Sequence, residues 1–132
     1  MLVVKNDQAT TEFDPNLKIL KSVYIGRYQK ELAIGHIKKV MKFYSHNEVK
    51  GSLIDISQGY GSFAKLFEFL TTSYYPIAAK SGLSVQVYIV SSDLLSSALG
   101  EKLGYLASQF NIKSNLFVDK KEAEQWLVKM LK

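Results

Sequence analysis

Hydrophobic positions in this chain switch between alternating and helical spacing, and the switches mark out its elements. Residues Gln8 to Asp14 carry Thr10, Thr11 and Phe13, a composition suited to a strand. Asp14-Pro15-Asn16-Leu17 then reads as a type I turn, because proline presets φ at the second position. Beyond it Leu17, Ile19, Val23 and Ile25 interleave with polar residues, which predicts a second strand and an antiparallel hairpin. Met1 to Val4 either extend the first strand or form a short piece of their own, and Gly26 closes the second. From Gln29 to Ser45 the residues Ala33, Ile37, Val40, Met41 and Tyr44 fall at helical spacing, with Gly35 only weakening the helix.

The stretch Gly51 to Ser62 organises the rest of the chain. Leu53, Ile54 and Ile56 predict a short buried strand, and Ser57-Gln58-Gly59-Tyr60-Gly61-Ser62 a polar, glycine-bearing loop. A helix is then expected from Phe63, capped by Ser62, with Phe63, Leu66, Phe67, Leu70 and Tyr74 on its buried face. Pro76 bends or ends this helix, and Ser81-Gly82 marks the stop. Leu83 to Val90 is β-branched and nearly continuous in apolarity, as a central parallel strand should be. Asp93 is placed to cap a third helix, with Leu95, Ala98, Leu99, Leu103, Leu106 and Phe110 as its stripe. Asn115 to Val118 predicts a last strand. Asp119 and Glu122 have the spacing of a capping box for a final helix that turns Ala123, Trp126, Leu127 and Met130 inward, with Lys129 and Lys132 at its C-terminal end.

The expected order is β-β-α-β-α-β-α-β-α, an α/β fold in which an N-terminal antiparallel hairpin leads into a mostly parallel sheet with covering helices. At 132 residues, 47% of them apolar, the chain suits one domain over 1–132 with a sizeable core. No cysteine is present, so disulfides, thiolate metal sites and cysteine nucleophiles are excluded. No apolar run is long enough for a membrane span, and Met1-Leu-Val-Val is too short for a signal peptide, which makes a cytoplasmic protein the expectation.

The net charge of +5 changes little. Of 17 basic residues only Arg27 is an arginine, and scattered lysines such as Lys38, Lys39 and Lys42 read as a solvated helix face, not a nucleic-acid site. His36 and His46 are the only histidines and read as surface residues, too few for a metal site. Asp55 lies near the end of a central strand, as a receiver-domain phosphoacceptor would. It sits inside the strand, however, and the chain after Leu2-Val-Val-Lys-Asn-Asp7 enters a hairpin where a receiver enters a helix. Gln58-Gly-Tyr-Gly61 lacks the Gly-Lys-Ser/Thr ending of a phosphate-binding loop, so its glycines read as turn-formers. Ser57, Ser62, Ser91 and Ser92 have no base at a recognisable spacing and no Gly-x-Ser-x-Gly elbow, and the acids are dispersed. Tyr74 reads as core, whereas Tyr60 and Tyr75 suit an apolar pocket or contact surface.

Four segments carry a family resemblance. Leu53-Ile-Asp-Ile-Ser57, Tyr74-Tyr-Pro76 with Gly82, Val87-Tyr-Ile-Val-Ser-Ser-Asp93, and Phe117-Val-Asp with Glu122-Ala-Glu-Gln-Trp-Leu127 together resemble STAS-like proteins related to anti-sigma-factor antagonists. The resemblance implies a non-enzymatic domain for regulation or protein interaction, without a cofactor. It also implies a phosphorylated serine at a helix start. Ser57 to Ser62 lacks the family's Asp-Ser-Ser-Gly-like motif, leaving Ser57 and Ser62 as the hydroxyls to consider. A related branch resembles CRAL-TRIO lipid-transfer domains, and implies instead an apolar ligand between sheet and helices, held by Phe63, Phe67, Tyr74 and Tyr75. The interaction reading centres the contact surface on the loop Ser57 to Ser62 and the helix it opens. The partner is another protein or an apolar small molecule, and monomer and homodimer both stay open.

Overall fold

The computed structural model describes residues 1–132. Its elements are β1 (Leu2–Lys5), β2 (Ala9–Asp14), β3 (Ile19–Arg27), α1 (Lys30–His46), β4 (Gly51–Tyr60), α2 (Leu66–Phe69), a π-helical turn (Leu70–Tyr74), α3 (Tyr75–Lys80), β5 (Val85–Ile89), α4 (Ser92–Leu95), α5 (Ala98–Leu106), a 3₁₀ turn (Ala107–Phe110), β6 (Lys113–Phe117) and α6 (Lys120–Leu131). One six-stranded sheet runs in the order β1-β2-β3-β4-β5-β6. The first two pairings are antiparallel and the remaining three parallel. The α/β architecture expected from the sequence is therefore present, with Leu2 to Lys5 forming an extra edge strand of their own.

Parallel strands that follow one another in a single direction, joined by crossovers of one hand, place all their connections on one face. Helix α1, the α2–α3 segment and α5 accordingly share a face with a large core that includes Leu20, Tyr44, Tyr75, Tyr88 and Leu106. Helix α6 covers the other face, where Ala123 and Leu127 meet Ile19, Leu53, Val85, Val87 and Ile89. Every residue of β5 is buried, Gln86 included, as its nearly continuous apolarity predicts for a strand covered on both faces.

Several boundaries move. Strand β4 does not stop at Ile56 but runs on through Ser57, Gln58 and Gly59 to Tyr60, because the nine-residue β3 offers a partner as far as Arg27. Pairing outweighs the low strand propensity of Gln58-Gly59. The helix begins at Leu66, so Ser62 does not cap it and Phe63 lies ahead of its first turn. Pro76 neither ends nor breaks the helical segment. The π turn ends at Tyr74, so Pro76, without an N–H, falls in the first turn of α3, and Ser81-Gly82 ends α3 as expected, Gly82 taking φ +109°. The third helix is two, α4 and α5. Ser91 and Ser97 are the caps, accepting from Leu94 N and Gly100 N, and Asp93 sits in the first turn of α4 instead of capping it. Asp119 does cap α6, accepting from Glu122 N at 3.1 Å. The final strand starts two residues early, at Lys113.

Candidate functional site

Strands β3 and β4 leave a space beneath the helices at their carboxyl ends. The sheet supplies Ser22 and Tyr24 from β3, Ile54 and Ile56 from β4 and Tyr88 from β5. Helix α1 closes one wall with Ile37 and Val40, and Phe63, Leu66, Phe67, Leu70 and Tyr74 close the other. Leu103 of α5 completes the lining. Water-sized molecules can be centred over about 90 Å³ of this cavity, and its empty space, counting the open mouth, is about 820 Å³. That first volume is several times what one buried water needs. No charged side chain lines it.

A bulge shapes the mouth. Between Val23 and Ile25 on β3 the partner changes from Asp55 to Gln58, so β4 carries one extra residue near Ile56-Ser57. In a regular strand Ile54, Ile56 and residue 58 would share a face, but the extra residue brings Gly59 to the cavity side instead. The Asp55 carboxylate holds the bulge, accepting from Ser57 N at 2.9 Å and from Ser57 Oγ at 2.6 Å. Gly59 then pairs with Gly26, which has φ +78°. Two neighbouring strands thus meet at the mouth without a side chain between them. Tyr60, 63% exposed, stands beside it, and its carbonyl accepts from Tyr28 N at 2.8 Å.

Of the residues expected to form a site, Gly59, Tyr60, Phe63, Phe67 and Tyr74 are brought together around this cavity. Ser57 is tied to Asp55, while Gln58, Gly61 and Ser62 are outside the lining. Tyr75 is a correction. It is fully buried in the core, with its hydroxyl 2.6 Å from that of Tyr88, accepting from Gln86 Nε2 at 2.8 Å and its ring stacked on Phe110. The Tyr44 and Tyr74 hydroxyls pair similarly at 2.9 Å. Burial pushes the hydroxyls of Tyr24, Tyr44, Tyr74, Tyr75 and Tyr88 above the ordinary phenol range, so all five stay protonated.

The sequence pattern did not single out Ser22, Tyr24, Tyr28 or Leu103 for a site. Alternation in β3 would put the apolar Val23 and Ile25 on the covered face, yet these are 37% and 49% exposed, and the row Leu20, Ser22, Tyr24 faces the large core and its cavity instead. His36 is also a correction, since it is buried rather than on the surface. Its Nε2 lies 2.7 Å from Thr11 Oγ1, which lies 2.7 Å from Ser22 Oγ, and the Tyr24 ring packs edge-on against the imidazole. His36 Nδ1 is buried with no partner. No group of three or more His, Asp or Glu side chains is placed to hold a metal ion, and no helix is long and apolar enough to cross a membrane.

Burial, with a smaller contribution from Lys39, lowers the His36 pKa to about 4. The folded value lies below the unfolded one, so the stability tied to neutral His36 is complete above the unfolded pKa of about 6.5 and fades as pH falls towards about 4. Unfolding free energies from urea titrations at about pH 7 and about pH 4.5 should therefore differ by roughly 2–3 kcal/mol more in the wild-type protein than in His36→Gln. Equal pH dependence in the two proteins would contradict the buried neutral imidazole.

A comparison of folds decides the architecture. The chain aligns over 94% of its length with 98% of the solved structure of an uncharacterized protein of the DUF3478 family, with a SpoIIAA-like fold, from Shewanella loihica PV-4, at a TM-score of 0.58 and 16% sequence identity. The fold is SpoIIAA-like. At that identity the likeness is one of backbone architecture, and it agrees with the STAS-like order expected from the sequence. No family model and no curated protein matches the chain. Within this SpoIIAA-like fold the cavity occupies the carboxyl end of the parallel strands, where ligands of open α/β sheets are usually met.

Proposed function

We propose that this domain is a non-enzymatic SpoIIAA-like module that holds a small apolar molecule between its sheet and helices. The observation that carries the reading is the open, uncharged cavity lined by Ile54, Ile56, Phe63, Phe67, Leu70 and Tyr74. Apolar ligands bind such spaces because little water is held there and much apolar surface is removed from solvent. Phe63, Phe67 and Tyr74 serve as walls, and Tyr60 marks the entrance. No acid–base pair supports a reaction in the cavity.

A regulatory role through protein contact is the second reading, and one observation favours it: Ser62 and Tyr60 are both exposed beside the mouth. A phosphate on Ser62 would add negative charge where a partner could sense occupancy. Ser57 suits that role less well, since a phosphate there would face the Asp55 carboxylate. Native mass spectrometry of protein purified gently from its own host separates the readings. A bound apolar mass is the expected result. A phosphate adduct or a co-purifying protein, with no apolar mass, would favour the regulatory module.

A further inference from the structure

The polar groups in the cavity wall narrow the ligand class, given that the cavity binds an apolar molecule at all. Two hydroxyls matter. The Tyr28 hydroxyl belongs to a lining residue and is buried without a partner. Burial raises its pKa, so it remains a phenol with a proton to donate. The second is Ser22 Oγ, which also belongs to the lining and ends the chain His36 Nε2, Thr11 Oγ1, Ser22 Oγ, with both steps at 2.7 Å.

The direction of that chain follows from its far end. His36 Nδ1 is buried and unpartnered, and a bare ring lone pair is tolerated there better than an unmatched N–H donor. The proton of the neutral imidazole therefore sits on Nε2 and is donated to Thr11 Oγ1. Thr11 spends its own proton on Ser22 Oγ. The Ser22 hydroxyl, having accepted, has its proton left for the cavity. Ser22 and Tyr28 thus each keep a hydroxyl proton that no protein group accepts, and no lining residue carries a charge. A carboxylate would lose its hydration without a cation to meet it, and a protonated amine would lose its own without an anion. A plain hydrocarbon would leave the Tyr28 donor unmatched.

We infer that the cavity takes an uncharged apolar molecule bearing a carbonyl oxygen, a ketone, aldehyde or ester, which accepts from the Ser22 and Tyr28 hydroxyls. Thr11 and His36 are positioning residues that fix which way the Ser22 proton points.

The test is competition by 2-octanone, octane and octanoate against a naphthalene-type fluorescent reporter bound to the full chain. 2-Octanone should compete about tenfold better than either of the others, the increment expected of one to two neutral hydrogen bonds. That preference should shrink several-fold in Ser22→Ala, Tyr28→Phe and Thr11→Val. Thr11→Val touches no ligand, so a fall in the ketone-to-octane ratio there reports the hydroxyl chain and not a general loosening of the cavity. Octane equal to 2-octanone, or octanoate tighter than both, would overturn the carbonyl assignment while leaving the apolar cavity standing. Failure of the reporter and of all three competitors to bind would overturn both.

Discussion

Gly100→Ala should cost the domain roughly 3 kcal/mol or more, visible as a large drop in the urea midpoint. Gly100 is buried in the first turn of α5, and a Cβ placed on it would stand 2.0 Å from the Leu94 carbonyl oxygen. That oxygen has no freedom to retreat. It accepts from Ser97 N at 3.0 Å and from Ser97 Oγ at 2.7 Å, the two bonds that close the corner between α4 and α5. The obstacle is backbone rather than the end of a flexible side chain, so the whole corner must open to admit a methyl group. Gly35→Ala in α1 is the natural control, because nothing lies within 4 Å of its Cβ position. An unchanged midpoint for Gly100→Ala would mean that the α4–α5 corner is not packed as described.

That corner also shows where sequence reading reaches its limit. The stripe Ala98, Leu99, Leu103 and Leu106 was legible as one helix, but Leu95 falls on the exposed side once Ser97 restarts the chain as a new cap. Serine at 96 and 97 is compatible with helix interior and with a cap alike, and only tertiary packing chooses. Strand β5, the caps at Asp119 and Gly82, and the inward faces of α1 and α6 were legible because each rests on a local period or a local side-chain bond. The length of β4 was not. Gln58-Gly59-Tyr60 has a loop's composition, and its strand conformation comes from β3 alongside it, through pairs such as Gly26 with Gly59 that are distant in sequence.

The candidate site divides in the same way. Phe63, Phe67 and Tyr74 were visible as a helix face, although Phe63 precedes the helix itself. Tyr75 was misplaced because adjacent tyrosines gave no hint that Tyr75 turns towards Tyr88 and Gln86. His36 was misplaced because a polar residue beside an apolar stripe reads as solvated, and its hydrogen-bond partner Thr11 lies 25 residues away on β2. Ser22 and Tyr28 gain their meaning from the space they border, which no residue pattern encodes.

Gly59→Leu is expected to weaken ligand binding more than tenfold while leaving the fold intact. A Cβ at Gly59 would meet only ordinary contacts, 3.5 Å from Ile56 O and 3.7 Å from Tyr24 O, and its φ lies outside the left-handed region. A leucine there adds branched carbon to the lining at the mouth. Displacing the equivalent of two buried methylenes from a ligand costs roughly 1.6 kcal/mol, or more than tenfold in affinity. Stability should change by less than about 1 kcal/mol, which separates occlusion from unfolding. Gly26 is the wrong place for the same experiment, since its φ of +78° would strain any side chain.

The most direct measurement is a fluorescence titration of the full chain with N-phenyl-1-naphthylamine, run beside Gly59→Leu at matched concentration. Saturable, blue-shifted binding to the wild-type protein is expected at about one site per chain, weakened more than tenfold by the leucine. Unsaturable or absent enhancement, or equal binding by both proteins, would contradict an apolar ligand site between β3, β4 and the helices above them.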